Sequence, residues 1–157
     1  LMIDSDKHCR VLEYNVRLGD PEAQVVLTAF PGDWAEVVEA CTDGRLDSVP
    51  WEDPSETSVG IVLASGGYPG PYGKGYLILG LEKAEEIEGI SVFHAGTTLD
   101  PEIGLVTSGG RVLTVVGKAA TLEEARDKAY EAASRIGFAN CFYRTDISAK
   151  SGTPPWA

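Results

Sequence analysis

The chain has 157 residues, 43% of them hydrophobic, and its 24 acidic against 13 basic residues give a formal net charge of −11. That length and apolar content suit one ordinary domain, or one plus part of another, with a real core. The acidic balance argues against nonspecific binding to nucleic acid or to an anionic membrane, though a nucleotide site needs only local cations. Cys9, Cys41 and Cys141 are odd in number and form no C-x-x-C, so they read as reduced cytosolic thiols, not a disulfide frame or zinc site. No apolar run approaches the roughly 20 residues of a membrane span. No basic flank leads into a long apolar core at the start, as a signal peptide would require.

In chain order, Leu1-Met2-Ile3, a turn-like Asp4-Ser5-Asp6-Lys7 and an alternating Cys9 to Arg17 predict a hairpin. Leu12, Tyr14 and Val16 share one face of that strand and Glu13, Asn15 and Arg17 the other. The apolar face can pack on a core. The polar face offers a carboxylate and a carboxamide oxygen about 7 Å apart. Both are hard donors suited to Mg²⁺, which takes few protein carboxylates and completes its shell with phosphate and water. Arg17, one step on, could clamp an anion bidentately. The competing reading is a strand edge with solvated polar residues. Next, Gly19 permits a positive φ, Asp20 is a good N-cap and Pro21 fits the first helical position.

A helix is predicted from Pro21 to Phe30, with Val25, Val26 and Ala29 inward, ending at Pro31-Gly32. Asp33 should cap a second, Trp34 to Thr42, whose apolar face is Trp34, Val37, Val38 and Cys41, with Gly44 as its stop. Pro50 to Thr57 is polar and acidic, like a linker. Val59 to Ala64 is a short buried strand.

Ser65 to Gly75 is glycine-rich and must be tested as a phosphate loop. A P-loop needs G-x-x-x-x-G-K-[ST], but Gly73-Lys74 is followed by Gly75, and Tyr68 holds the first glycine's place. A dinucleotide fingerprint should open a helix, and Tyr76-Leu77-Ile78-Leu79 is more strand-like. The plain reading is a bend between strands. The functional one is a substrate-contacting loop, with Gly67, Tyr68, Gly70 and Lys74 facing an anion.

Glu82 to Glu88 reads as a short acidic helix with Ala84 and Ile87 inward, and Ile90 to Ala95 as a strand. His94 lies in that strand and, with only His8 elsewhere, reads as a hydrogen-bonded structural residue, not an acid–base catalyst. Leu105 to Thr107, Ser108-Gly109-Gly110 and Arg111 to Val116 predict a hairpin with glycines at its tip. Thr121-Leu122-Glu123-Glu124 is a capping box. It opens an amphipathic helix with Leu122, Ala125, Ala129, Ala132, Ala133 and Ile136 near one face, stopped by Gly137. Cys141 to Tyr143 is a last strand, and Ser148 to Ala157 a tail with little ability to fold.

Several of these blocks carry a resemblance. Glu13-Tyr14-Asn15-Val16-Arg17-Leu18-Gly19-Asp20-Pro21-Glu22-Ala23-Gln24 resembles the end of the ATP-grasp domain of the phosphoribosylamine–glycine ligase (glycinamide ribonucleotide synthetase) family. Leu63 to Gly70, Val92 to Thr97, Ser108 to Leu113 and Tyr143 to Ile147 also resemble that family, in the same order. The resemblance implies an α+β fold. Residues 1–48 would be the end of an ATP-grasp domain, 49–57 a linker, 58–147 a small antiparallel-sheet domain with one long helix, and 148–157 a flexible tail.

It also implies a function: ligation of glycine to 5-phosphoribosylamine in purine synthesis, with ATP cleaved to ADP and phosphate through glycyl phosphate. Glu13 and Asn15 match the family's Mg²⁺ (or Mn²⁺) ligands. Arg17, Gly19 and Asp20 would sit where the glycine carboxylate or acyl phosphate binds. In that family most of the ATP-grasp domain and an amino-terminal domain come before this point, and a lone hairpin is marginally stable, so the resemblance implies a carboxy-terminal piece of a cytoplasmic enzyme. Its partner would be the amino-terminal domains of that enzyme. Two alternatives stand beside this. One is a docking module without activity of its own. The other is part of a different ATP-grasp ligase, which leaves the later blocks unexplained.

Overall fold

The computed structural model describes residues 2–4, 6–14, 16–50 and 52–149. Asn15 and most of the expected tail lie outside the described residues. At the centre is a four-stranded antiparallel sheet, built from β3 (Thr57–Ser65), β4 (Ile90–His94), β7 (Arg111–Ala119) and β8 (Cys141–Phe142), in the order β4-β7-β3-β8. Val59, Ile61 and Leu63 alternate along β3. They join Val112, Leu113 and Val115 in a core closed by α4 (Leu122–Arg135).

The predicted α4 face is the observed one: Ala125, Ala129, Ala132 and Ala133 have no exposed surface. The small side chains let the helix lie close on the strand, because a Cβ on Gly117 would stand 2.8 Å from the Ala129 amide nitrogen. The Thr121 hydroxyl accepts from the Glu124 amide at 3.2 Å, the capping expected of that box. The helix ends as Ile136 turns extended. Gly137 is not a left-handed stop here; its amide and carbonyl pair with Leu79 at 3.0 and 2.9 Å.

The opposite face of the sheet takes α1 (Glu22–Ala29). Gly60 leaves room for it, since a Cβ there would meet a Val25 methyl at 2.6 Å. The Ser58 hydroxyl donates to the Val25 carbonyl at 2.7 Å. Val26, expected inward, is exposed. Next, α2 (Trp34–Thr42) is capped by Asp33, which accepts from the Ala35 amide at 2.7 Å, and Gly44 follows it at φ +67°. Its buried residues are Val37 and Ala40, while Val38 and Cys41 are exposed. A tilted contact of Trp34 with Phe30, centroids 4.7 Å apart, accompanies a helix turned to the 37/40 pair, one position from the predicted stripe.

Two strand expectations are corrected. The first is the hairpin of Leu105–Thr107 with Arg111–Val116. β6 (Gly104–Thr107) instead pairs with β5 (Thr97–Asp100), while β7 pairs with β3 and β4. The glycines serve a crossing of chains, not a tip: a Cβ on Gly96 would lie 2.6 Å from the Gly109 Cα, and the Gly96 carbonyl accepts from the Ser108 amide at 2.7 Å. Along the free side of β6 run Gly75 to Leu79, held by Gly75 to Thr107 and Ile78 to Leu105 bonds of 2.7 and 2.8 Å. The strand-like reading of Tyr76 to Leu79 survives only as isolated bridges.

The second correction concerns the opening strand. β1 (Met2–Ile3) pairs with β2 (Cys9–Arg10), and the strand goes no further among the described residues. Its supposed core face is solvent-facing, with Tyr14 82% and Val16 94% exposed. No described strand lies alongside Val11 to Leu18 to hold it extended. The acidic helix is also shorter than expected: α3 (Leu81–Glu85) buries Ala84 and starts from Gly80 at φ +88°.

Candidate functional site

A cleft of about 470 Å³ lies between the Val11 to Asp20 segment and the first turns of α1, lined by Glu13, Arg17, Gly19, Asp20, Glu22 and Val26, among others. It gathers four of the residues singled out in the sequence: Glu13, Arg17, Gly19 and Asp20. The Arg17 guanidinium donates to the Leu18 carbonyl at 2.9 Å, which folds the turn back on itself. Gly19 has no left-handed backbone. The Glu22 carboxylate lies over it, in the space a Cβ there would take. The Gly19 carbonyl accepts from the Ala23 amide at 2.9 Å and so starts the helix.

Asp20 is not the cap. Pro21 holds the N-cap position and α1 begins at Glu22. The Asp20 carboxylate is committed elsewhere: Oδ1 accepts from Gln24 Nε2 at 2.8 Å, and Oδ2 pairs with Arg111 Nη2 at 3.1 Å. Arg111 Nη1 donates to the Asp20 carbonyl as well. Arg111 is the residue missed in the sequence. It stood in a block already noted, but as one arm of a presumed hairpin. The signal was an arginine directly after Gly109-Gly110, where a backbone crossing can re-aim the next side chain.

The glycine-rich loop does not line this cleft. Gly67 has φ +97°, and its carbonyl lies 3.1 Å from where a Cβ on Gly70 would be, so both glycines serve a tight turn. Two of its amides are already used, Tyr68 to the Ser65 carbonyl at 3.0 Å and Gly75 to Thr107. Lys74 Nζ sits 5.8 Å above the Tyr72 ring. The Tyr68 ring fills the space a side chain at Gly110 would need, next to Arg111 in sequence. His94 stays outside, its Nδ1 3.0 Å from the Thr97 hydroxyl, as its structural reading requires.

Glu13, Glu22 and Asp20 bring carboxylates to one cleft, but both Asp20 oxygens are occupied. Glu13 on the cleft wall fits a Mg²⁺ that takes one or two protein carboxylates and draws its other oxygens from phosphate and water. A different acidic group, Asp4, Asp6 and His8, has ligand atoms within 4.8 Å of one another. It is a turn cap: Asp4 Oδ1 accepts the Asp6 and His8 amides at 3.1 and 2.9 Å, and Oδ2 accepts from Arg10 at 3.1 Å. No helix among the described residues is long and apolar enough to cross a membrane.

Residues 58–150 match the family described as Phosphoribosylglycinamide synthetase, C domain. Phosphoribosylamine–glycine ligase of Brucella melitensis is 46% identical over 147 residues, which is 94% of this chain and 34% of that protein. The chloroplastic phosphoribosylamine–glycine ligase of Arabidopsis thaliana is 45% identical over 139 residues, 88% of this chain and 26% of that protein. The crystal structure of phosphoribosylamine–glycine ligase from Thermotoga maritima superposes with a TM-score of 0.72 at 40% identity, covering 87% of this chain and 33% of that one. The chain thus spans between about a quarter and a third of the length of these relatives.

Proposed function

The chain belongs to the phosphoribosylglycinamide synthetase family, whose C domain it carries over residues 58–150, and on that premise we propose that it is the carboxy-terminal part of an ATP-dependent ligase. The ligase joins glycine to 5-phosphoribosylamine, giving glycinamide ribonucleotide, ADP and phosphate in purine synthesis. One observation carries the reading. The Brucella ligase aligns with 147 of the 157 residues, so the likeness runs beyond the C domain into the segment that builds the cleft. In this reading residues 1–48 end an ATP-grasp domain, 49–57 link, 58–147 form the C-terminal domain and 148–157 trail. Its partners are the amino-terminal domains that complete the ligase, and its compartment is the cytoplasm.

The chemistry has two displacements. The glycine carboxylate takes the terminal phosphoryl group of ATP, releasing ADP. The phosphoribosylamine nitrogen then attacks the acyl carbon, and phosphate leaves with the C–O bond electrons. Glu13, with Asn15, would hold Mg²⁺ (or Mn²⁺), which when bound neutralises charge on the transferring phosphoryl group. Arg17 provides the fixed cation of the cleft and orients the glycine carboxylate. The Gly19-Asp20 turn lines the same cleft, where the glycine carboxylate or acyl phosphate would bind.

A second reading is favoured by the exposure of Val11, Leu12, Tyr14 and Val16. Alone, the chain would be a docking module that becomes a ligase only when that face is covered. The test of the roles uses the chain joined to the amino-terminal two thirds of a relative. Glu13→Gln should lower kcat at least about 100-fold, the scale of a weakened metal site. His94→Gln should change it less than about threefold, since it alters only the Thr97 contact. Equal losses would overturn the assignment.

A further inference from the structure

The register of the central sheet contains one irregularity, and it decides where Arg111 points. Leu63 lies opposite Leu113, but Ala64 lies opposite Arg111, so Val112 is an extra residue in β7. Strict alternation would put Arg111 on the same face as Leu113, toward α4. The bulge shifts the pattern by one. Val112 and Leu113 are both fully buried in the α4-side core, and Arg111 joins Ala64 on the other face. That is the face covered by α1, and Asp20 stands just before its N-cap, Pro21.

Arg111 reaches Asp20 across 91 positions of sequence with two different nitrogens. Nη2 meets the carboxylate at 3.1 Å and Nη1 meets the backbone carbonyl. The fork thus grips both side chain and main chain of one residue, a geometry that a lysine cannot reproduce. The Tyr68 ring against Gly110 and the Gly96-Gly109 crossing fix the backbone just before Arg111. Asp20 lines the cleft with Glu13 and Arg17.

We propose that Arg111 is a positioning residue: a strand bulge in the C-terminal domain aims it at Asp20, and by clamping that turn it sets the geometry of the Glu13–Arg17 cleft. The domain carrying β7 is therefore a working part of the site. The effect on catalysis rests on the ligase reading above; the clamp itself does not.

The experiment has two arms. On the chain alone, amide hydrogen exchange is followed at Ala23, whose amide donates to the Gly19 carbonyl in the clamped turn. Arg111→Met should speed it roughly fivefold, the worth of a good partly exposed ion pair, Arg111→Lys less, and Arg126→Met on α4 not at all. Asp20→Asn with Arg111→Met should be no worse than Arg111→Met alone, because both remove the same contact. Unchanged exchange in Arg111→Met, or additive effects in the pair, would overturn the clamp.

In the second arm the chain is joined to the amino-terminal two thirds of a relative. Arg111→Met should raise the KM for glycine and lower kcat/KM about tenfold or more, with Arg111→Lys intermediate. A lower melting temperature with unchanged kcat/KM would mean that Arg111 is merely structural, and would overturn the proposal. Inactivity of the unmutated assembly would instead count against the ligase reading, and the exchange arm would still decide the clamp.

Discussion

A methyl group added to Gly117 would meet the backbone of α4. The nearest atoms are the Ala125 carbonyl and, at 2.8 and 3.1 Å, the nitrogen and Cβ of Ala129. None of these is the end of a flexible side chain, so helix and strand must move apart. Gly117→Ala is expected to destabilise the chain by about 1–3 kcal/mol, as overpacking does. Urea unfolding would measure it, and a loss below about 0.5 kcal/mol would show that α4 can shift freely. Residues of this kind were half legible. The alanines of α4 announced close packing by their size and spacing, but nothing in the sequence named the glycine opposite them. At the cleft, Glu13 and Arg17 were legible because charge type and order suffice. Asp20 was misjudged. Its residue type suggests a cap, and only the distant Arg111 explains why it does something else.

At the scale of elements, α4 does more than close the core. The Tyr130 hydroxyl donates to the Arg144 carbonyl and accepts from the Ile147 amide, both at 3.0 Å. It ties the segment after β8 to the helix. Ile147 and Tyr143 pack beside the same core. Tyr130→Phe removes both bonds and leaves the Ile147 amide unpartnered, so a loss of about 1–2 kcal/mol is expected. Faster proteolysis after Tyr143 should accompany it; unchanged stability and cleavage would mean that the segment is held by packing alone. The helices were readable because caps and periodicity are local, and α2 and α4 begin where Asp33 and Thr121 indicated. The pairing of β6 was not. Two adjacent strands with glycines between them look like a hairpin, whereas the true partner of β6 is decided by the Gly96-Gly109 approach, which is a tertiary event.

At the scale of the whole molecule, the sheet is covered by α4 on one face and α1 on the other, while the segment from Val11 to Leu18 has no strand beside it among the described residues. Val11, Leu12, Tyr14 and Val16 face solvent, while Glu13 and Arg17 line a cleft whose walls are α1 and the turn held by Arg111. The alternation in that segment is that of a strand, and a strand needs a neighbour that the described residues do not supply. We propose that this segment is the edge of a ligase site shared with further domains. It is tested most directly by ADP release from Mg-ATP with glycine and phosphoribosylamine. The chain is assayed alone and then assembled with the amino-terminal two thirds of a relative. The account predicts turnover in the assembly, dependent on both substrates, and none from either part. An assembly shown to form that releases no ADP would contradict it.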